Sequence, residues 1–314
     1  MASSTPRVSI IMPTYNWSGV LPYSIGSVQL QTLADFELLV IGDGCTDDSA
    51  EVVGAIGDAR VRWIGLEENS GHQSAPANEG LRQARGKIIA YLGHDDLWLP
   101  DHLASLVQAI DTGADLAWTV TRWVSPDLGD DPLFLLSSYT AGAFIPPSSV
   151  AHRRAVTECI GGWTDYRQIR EFPETDLLRR ADAAGFCFAF VPRLTVVKFP
   201  AGRRRNVYRE RPHHEQAAWL ERIREEPDLA TAELLDVVAE NVPPSRMFYR
   251  DLVHLFWCET WRRLRRRLIS PKQIGTEPGA AVDALKKIKG LKSRKLSTFA
   301  KPDQMIPPVE GEAS

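Results

Sequence analysis

The chain of 314 residues is 44% hydrophobic and 25% charged, the balance of a globular protein long enough for one large domain with an appendage or two modest domains. No apolar run approaches the roughly 20 residues that span a bilayer, which excludes a transmembrane helix. The net charge of -3 is unevenly divided, since from residue 242 onward 15 Lys and Arg stand against 7 Asp and Glu; a basic tail alone names no partner.

Residues 1–7 lack the apolar stretch of a secretion signal, so a cytoplasmic location is expected. Val8 to Met12 forms an apolar run stopped by Pro13 and reads as a buried strand, after which Leu21, Ile25 and Val28 recur at helical spacing. Residues 36–41 give a second strand, and Asp48-Ser49-Ala50-Glu51 has the pattern of a capping box opening a helix. A third strand over 61–64, a helix over 74–85 with Pro76 in its first turn, and a strand over 88–92 follow. Leu103, Leu106, Val107 and Ile110 mark the next helix. This alternation predicts an α/β fold with a mostly parallel, doubly wound central sheet flanked by helices, whose ligands bind at strand C-terminal ends.

Residues 116–120 supply another strand, and 125–132 are loop-like before an extended pattern resumes at 143–145. A helix over 174–184 precedes two strands, 186–191 and 194–199. The expected organisation is a catalytic domain over 1–212, a helical extension over 213–270 and a basic, loosely ordered tail over 271–314. Cys45, Cys159, Cys187 and Cys258 are too scattered for a disulfide framework or a CxxC metal site, and read as reduced thiols.

Asp95 and Asp96 follow the strand 88–92 in a tight turn opened by Gly93. Adjacent carboxylates repel unless a cation or a donor compensates, and hard oxygen ligands suit Mg2+ or Mn2+; a solvated turn capping the helix near Pro100 is the plain alternative. Asp43 stands at a second strand end, where it can accept hydrogen bonds from a base or ribose, while Asp47 and Asp48 read as caps of the next helix. Pro13, Thr14, Tyr15 and Asn16 at the first strand end combine a fixed backbone, an aromatic face and an amide that could seat a base, or form an ordinary tight loop. His94 could touch a ribose or phosphate, although a strand-end histidine is more often structural. Trp163, after two glycines, suits either sugar stacking or core packing. Residues 247–269 have the pattern of a basic amphipathic helix, fit for an anionic membrane surface or for docking with snorkelling arginines.

Taken together, Pro13-Thr14-Tyr15-Asn16, the turn 41–49, Asn69-Ser70-Gly71 leading to Asn78-Glu79-Gly80, Gly93-His94-Asp95-Asp96-Leu97-Trp98-Leu99-Pro100, Gly161-Gly162-Trp163 and Pro173-Glu174-Thr175-Asp176 resemble the family 2 glycosyltransferases of GT-A fold, over about residues 8–199. The resemblance implies a metal-dependent, inverting transfer of a sugar from a nucleoside diphosphate, UDP first, to a hydroxyl on a saccharide, small molecule or lipid-linked acceptor; no nucleic-acid partner is expected, and the basic helix could give a peripheral membrane contact. It places Thr14, Tyr15 and Asp43 around the nucleoside, with Pro13, Asn16, Asn78 and His94 in the same nucleotide-binding set. Asp95 becomes the principal ligand of the metal that bridges the diphosphate. The family's metal motif often has an acid where this chain has Gly93, so Asp96 or water would complete the shell. An arginine often precedes the position of Asn78, here Ala77, so Arg203, Arg204 and Arg205 become candidates to offset diphosphate charge. Glu174 aligns with the usual base, and Asp176 is the second catalytic candidate or a helix-terminal charge.

A dehydrogenase is disfavoured because no G-x-G-x-x-G follows the first strand. A catalytically silent nucleotide-sugar binder or scaffold of the same fold is the remaining alternative.

Overall fold

The computed structural model describes residues 5–125, 133–241 and 279–290. The expected basic helix over 247–269 lies outside the described residues. Strand β1 (Val8–Thr14) is the centre of a parallel group, flanked by β2 (Phe36–Gly42) and β4 (Ile88–Tyr91), with β3 (Val61–Gly65) beyond β2. Helices α1 (Leu21–Gln29), α2 (Ser49–Ala55) and α3 (Ser74–Gln83) make the crossovers, as the alternating apolar patterns require.

Past β4 the chain adds β5 (Leu97–Trp98), helix α4 (His102–Asp111), β6 (Leu116–Trp123), β7 (Leu133–Phe134), β8 (Val150–Arg153), helices α5 (Arg154–Ile160) and α6 (Pro173–Ala183), and β9 (Phe188–Lys198). The sheet runs β3-β2-β1-β4-β8-β6-β9-β5, with β7 on β6. Strand β8 enters antiparallel between β4 and β6, so the parallel sheet expected from sequence continues as a mixed one. The two strands expected over 186–199 are one strand, β9. Its pairing with β6 shifts register so that Val191 lies opposite Thr119 and Leu194 opposite Val120. The two residues left over, Pro192 and Arg193, are exposed, which accommodates a proline that has no N–H for the ladder.

Alternation along the strands builds two cores. Val8, Ile10, Met12, Leu38 and Val40 face α1 and α4, while Ile11, Leu39, Ile41, Ile89 and Tyr91 face α3 and α6. Trp163 belongs to the second core, 5% exposed and edge-on to Tyr91 with ring centroids 5.1 Å apart, so packing is its role here rather than sugar stacking. Among the described residues, four further α-helices follow β9, namely α7 (Val207–Glu210), α8 (His214–Glu225), α9 (Leu229–Asn241) and α10 (Ala280–Lys289). Helix α10 departs from the loose tail expected there, because it docks on the catalytic domain against the turn Ala201–Arg203 and α7. None of the described helices is long and apolar enough to cross a membrane.

Candidate active site

The C-terminal ends of β1, β2 and β4 converge on one side of the sheet, as the parallel register dictates. Asp43, immediately after β2, is buried and held by a loop from β3. Its carboxylate accepts hydrogen bonds from the Ser70 amide (2.9 Å), the Ser70 hydroxyl (3.0 Å) and Asn69 Nδ2 (3.1 Å). Burial pushes its pKa up, partly offset by the Ser70 donors. Nearby, a cavity of about 180 Å³ is lined by Ser70, His72, Ser74, Trp163, Asp165 and Tyr166.

The turn after β4 divides its two acids between different tasks. Asp96 is completely buried, accepting hydrogen bonds from Lys198 Nζ (2.7 Å), the Phe199 amide (3.1 Å) and the Ser148 hydroxyl. Burial opposes the charge on Lys198, yet Asp96 and Asp95 hold its ammonium above the ordinary value. Both Asp96 oxygens thus have protein donors, which tie the turn to the end of β9. The Asp95 carboxylate has no hydrogen-bond donor among the described residues, and the residue keeps 9% exposure. Asp95 is the acid left to meet a ligand.

Gly93 explains the departure from the common motif. A Cβ at that position would lie 2.9 Å from Asp96 Oδ2 and 3.3 Å from Asp95 Oδ1, so any side chain there collides with the inward carboxylate. The Gly93 amide donates instead to Ser148 Oγ at 3.0 Å.

Several other expected ligand contacts are taken up by the protein itself. His94 Nδ1 lies 2.8 Å from Thr14 Oγ1 and its Nε2 lies 3.2 Å from the Tyr208 hydroxyl, so the ring and Thr14 brace β1 against α7. Burial pushes the His94 pKa down, keeping it neutral. Asn16, at φ 46°, accepts the Thr46 amide on its Oδ1 (2.7 Å) and donates to Thr46 Oγ1 (3.1 Å), which fixes the β2 loop rather than a base. Asn78 uses both ends of its amide on Trp163, donating to the carbonyl (2.9 Å) and accepting from the amide (2.7 Å). Gly162 is required there, because a Cβ would lie 2.2 Å from Asn78 Oδ1. The side chains of Thr14, Asn16, Asn78 and His94, expected around the nucleotide, thus each have a partner within the protein. Pro13 and Tyr15 are half-buried at the end of β1. Near the β2 end, Asp47 accepts from the Ser49 amide at α2, as expected of a cap, whereas Asp48 makes no side-chain cap.

At the start of α6 the two catalytic candidates separate in the same manner. Asp176 is buried and accepts hydrogen bonds from Arg179 Nη2 (2.6 Å), Arg180 Nε (2.8 Å) and Thr164 Oγ1. Arg180 in turn donates to the carbonyls of Ile160 and Gly162, at 2.7 Å each. Asp176, through Thr164 and Arg180, therefore ties α6 to the loop that carries Trp163. Glu174, by contrast, has a buried Oε2 with no hydrogen-bond partner among the described residues. Burial raises its pKa, while Lys289 and Lys198 act in the opposite sense. Glu174, Asp95, Lys198 and Lys289 thus share one electrostatic neighbourhood.

Of the arginines considered for the diphosphate, Arg204 donates to Glu215 (2.9 Å) while its buried Nη1 has no hydrogen-bond partner among the described residues, Arg203 lies over the Trp123 ring, 5.2 Å from its centroid, and Arg205 is exposed. The lysines that do reach the cleft, Lys198, Lys286 and Lys289, were missed from sequence. Lys198 sits at the end of an apolar strand opposite the acids, which is the one signal that could have pointed to it.

A Rossmann-like sheet with acidic turns at its strand ends is the architecture of the GT-A glycosyltransferases. Residues 9–162 match the sequence model of glycosyl transferase family 2, so this segment is a family 2 glycosyltransferase domain. An Escherichia coli protein named UDP-Glc:alpha-D-GlcNAc-diphosphoundecaprenol beta-1,3-glucosyltransferase WfgD is 30% identical over 152 residues, 48% of this chain and 56% of that protein. The chain spans about half the length, or less, of the curated relatives it matches first. Two solved structures share the fold. They are S. aureus TarS 1-349 in complex with UDP-GlcNAc, with TM-score 0.55 and 18% identity over 74% of this chain and 71% of that one, and the mannosyltransferase PcManGT from Pyrobaculum calidifontis in complex with GDP-Man and Mn2+, with TM-score 0.54 and 19% identity over 90% and 88%.

Proposed function

We propose that this chain is an inverting glycosyltransferase that moves a sugar from a UDP-sugar, with a divalent metal, to a hydroxyl of a lipid-linked saccharide. The observation that carries the reading is the presence, on a family 2 fold, of an acid without a hydrogen-bond donor in the strand-end turn, Asp95, and of an acid at the start of α6, Glu174, whose buried Oε2 has no partner among the described residues. The name of the E. coli relative supports a UDP donor and a diphosphate-lipid acceptor.

Asp43 accepts hydrogen bonds from the nucleoside, and Tyr15 offers its ring beside it. Glu174 accepts the acceptor hydroxyl's proton as that oxygen bonds to the sugar C1 and the C1–O bond to the diphosphate breaks. Its raised pKa brings its basicity nearer neutral pH. Asp96, through Lys198, Ser148 and Phe199, holds the turn that presents Asp95.

No group of three or more His, Cys, Asp or Glu is gathered to cage a metal among the described residues. One accessible carboxylate fits a hard cation of the Mg2+ or Mn2+ kind, which is commonly bound by one or two carboxylates together with substrate phosphates. Held by Asp95 and the donor, such an ion supplies neutralisation of the departing diphosphate's charge.

The test is transfer from UDP-glucose and other UDP-sugars to undecaprenyl-diphosphate-linked saccharides, with manganese or with EDTA, and the product anomer read by NMR. Acceptor-dependent UDP release that needs manganese and inverts the anomeric centre is expected. Retention of configuration, or full turnover in EDTA, refutes the mechanism. Donor binding without turnover on any acceptor would favour the silent-binder alternative.

A further inference from the structure

The residues of α10 closest to the cleft are two lysines one helical turn apart. Lys286 and Lys289 stand at i and i+3, a spacing that puts their side chains on one face about 5–6 Å apart at Cβ. Lys286 is 4% exposed. Its ammonium donates to the Tyr166 hydroxyl at 2.7 Å and lies 4.0 Å from the Tyr166 ring centroid. It also reaches the loop that carries the donors of Asp43, for a Cβ built on Gly71 would be 3.2 Å from Lys286 Nζ. Lys289 lies at the other end of the same face, 5.7 Å from the centroid of Tyr208, whose hydroxyl contacts His94 of the acidic turn. The helix is anchored on both flanks, by the Gly279 amide donating to the Ile169 carbonyl at 2.9 Å and by the packing of Gly290 against Asn206.

Lys286 thus belongs to the Asp43 end of the cleft and Lys289 to the Asp95 end, the two ends between which a nucleoside diphosphate extends in the reading above. We propose that α10 forms the cationic wall of the donor site, with Lys289 binding the sugar-proximal phosphate of the diphosphate and Lys286 the nucleoside-proximal one. The chemistry calls for such a wall. A diphosphate brings two or more negative charges, and of the arginines after β9, Arg203 lies over Trp123, Arg204 is held by Glu215 and Arg205 is exposed. Burial lowers both lysine pKa values in the unliganded protein, and a bound anion would restore the charges through short charge-assisted hydrogen bonds.

This inference rests on the donor reading, and the experiment separates the two. Lys289→Met keeps length and apolar bulk, so the unliganded fold should be retained and the thermal midpoint should not fall. Calorimetric titration of the full chain with UDP and with uridine, in manganese, is then compared for wild type, Lys289→Met and Lys289→Arg. UDP affinity should drop on the order of 10- to 100-fold in Lys289→Met, in line with the loss of charged hydrogen bonds. Uridine affinity should stay within twofold, and Lys289→Arg should recover most of the loss. Unchanged UDP affinity overturns the inference alone. So does equal loss for uridine, which marks a packing role, or tighter UDP binding, which marks α10 as a plug. A wild-type chain that binds neither UDP nor GDP overturns the donor reading, and the inference with it.

Discussion

Replacing Asp96 with asparagine tests the division of labour in the turn. The carboxylate is fully buried, Lys198 retains 19% side-chain exposure, and the pair is closed at 2.7 Å. In Asp96→Asn the amide oxygen can still accept from Phe199 or Ser148, but the Lys198 ammonium loses its counter-charge. Breaking one side of a buried pair costs about 3–5 kcal/mol; the residual exposure of Lys198 and the nearby Asp95 bring the expectation to about 2–3 kcal/mol. That corresponds to a fall in thermal midpoint on the order of 5–10 °C. Asp95→Asn removes an acid with no donor among the described residues and relieves repulsion, so its midpoint should hold or rise while manganese-dependent donor binding is lost. The assay is scanning fluorimetry of both variants beside calorimetric titration with UDP and manganese. Were Asp96→Asn as stable as wild type yet unable to bind with metal, the structural role of Asp96 would be refuted.

Glu174→Gln preserves size while removing basicity, so turnover should fall roughly 100- to 10,000-fold with donor affinity nearly constant; steady-state kinetics showing an unchanged kcat would place the base elsewhere. Asp43→Ala should weaken UDP and every UDP-sugar in equal measure, and calorimetry that found only one sugar donor affected would move Asp43 away from the nucleoside. For pH, His102 and His152 are buried neutral, with pKa values lowered by burial to about 3 and about 4. The unfolded chain takes up their protons below about pH 6.5, so the stability they confer is present above that pH and is lost on descent toward 4 and then 3, at up to about 1.4 kcal/mol per pH unit for each group. Asp43 and Glu174, whose pKa values burial raises, act in the opposite sense. The check is therefore a difference: between pH 6 and 4 the urea-derived stability of His102→Gln should fall less steeply than that of wild type, and parallel profiles would contradict the buried neutral state.

The parallel half of the sheet was legible because β1, β2 and β4 are continuous apolar runs and α1, α3 and α4 keep a helical period. Strand β8 was not, for four residues containing His152 and Arg153 carry no apolar alternation, and the imidazole is satisfied by Tyr91 at 3.0 Å, a partner 61 residues away. The acids Asp43, Asp95 and Glu174 could be placed from the motifs. What sequence could not supply was which polar residues spend their groups on the protein. Asn78 and Trp163, Asp176 and Thr164, Asp96 and Lys198 are pairings made by tertiary approach, and each chemical type alone suits a ligand equally well. The lysines of α10 were hidden for another reason, since a basic stretch with few large apolar residues looks like solvated tail until it finds an acidic cleft.

Strand β9 gives the assembly of this protein a direction in time. The acids of the turn are synthesised by residue 96, but two of the three donors to Asp96 come from residues 198 and 199, and the strand that follows the turn pairs with Val196 and Val197. A chain growing from its N-terminus therefore carries two adjacent, unshielded carboxylates for about a hundred residues before the segment that neutralises them is made. The same holds for a fragment cut to residues 9–162: it keeps every acid of the turn and lacks the lysine that sets them apart. Any transplant of this turn into another sheet has to bring the end of β9 with it.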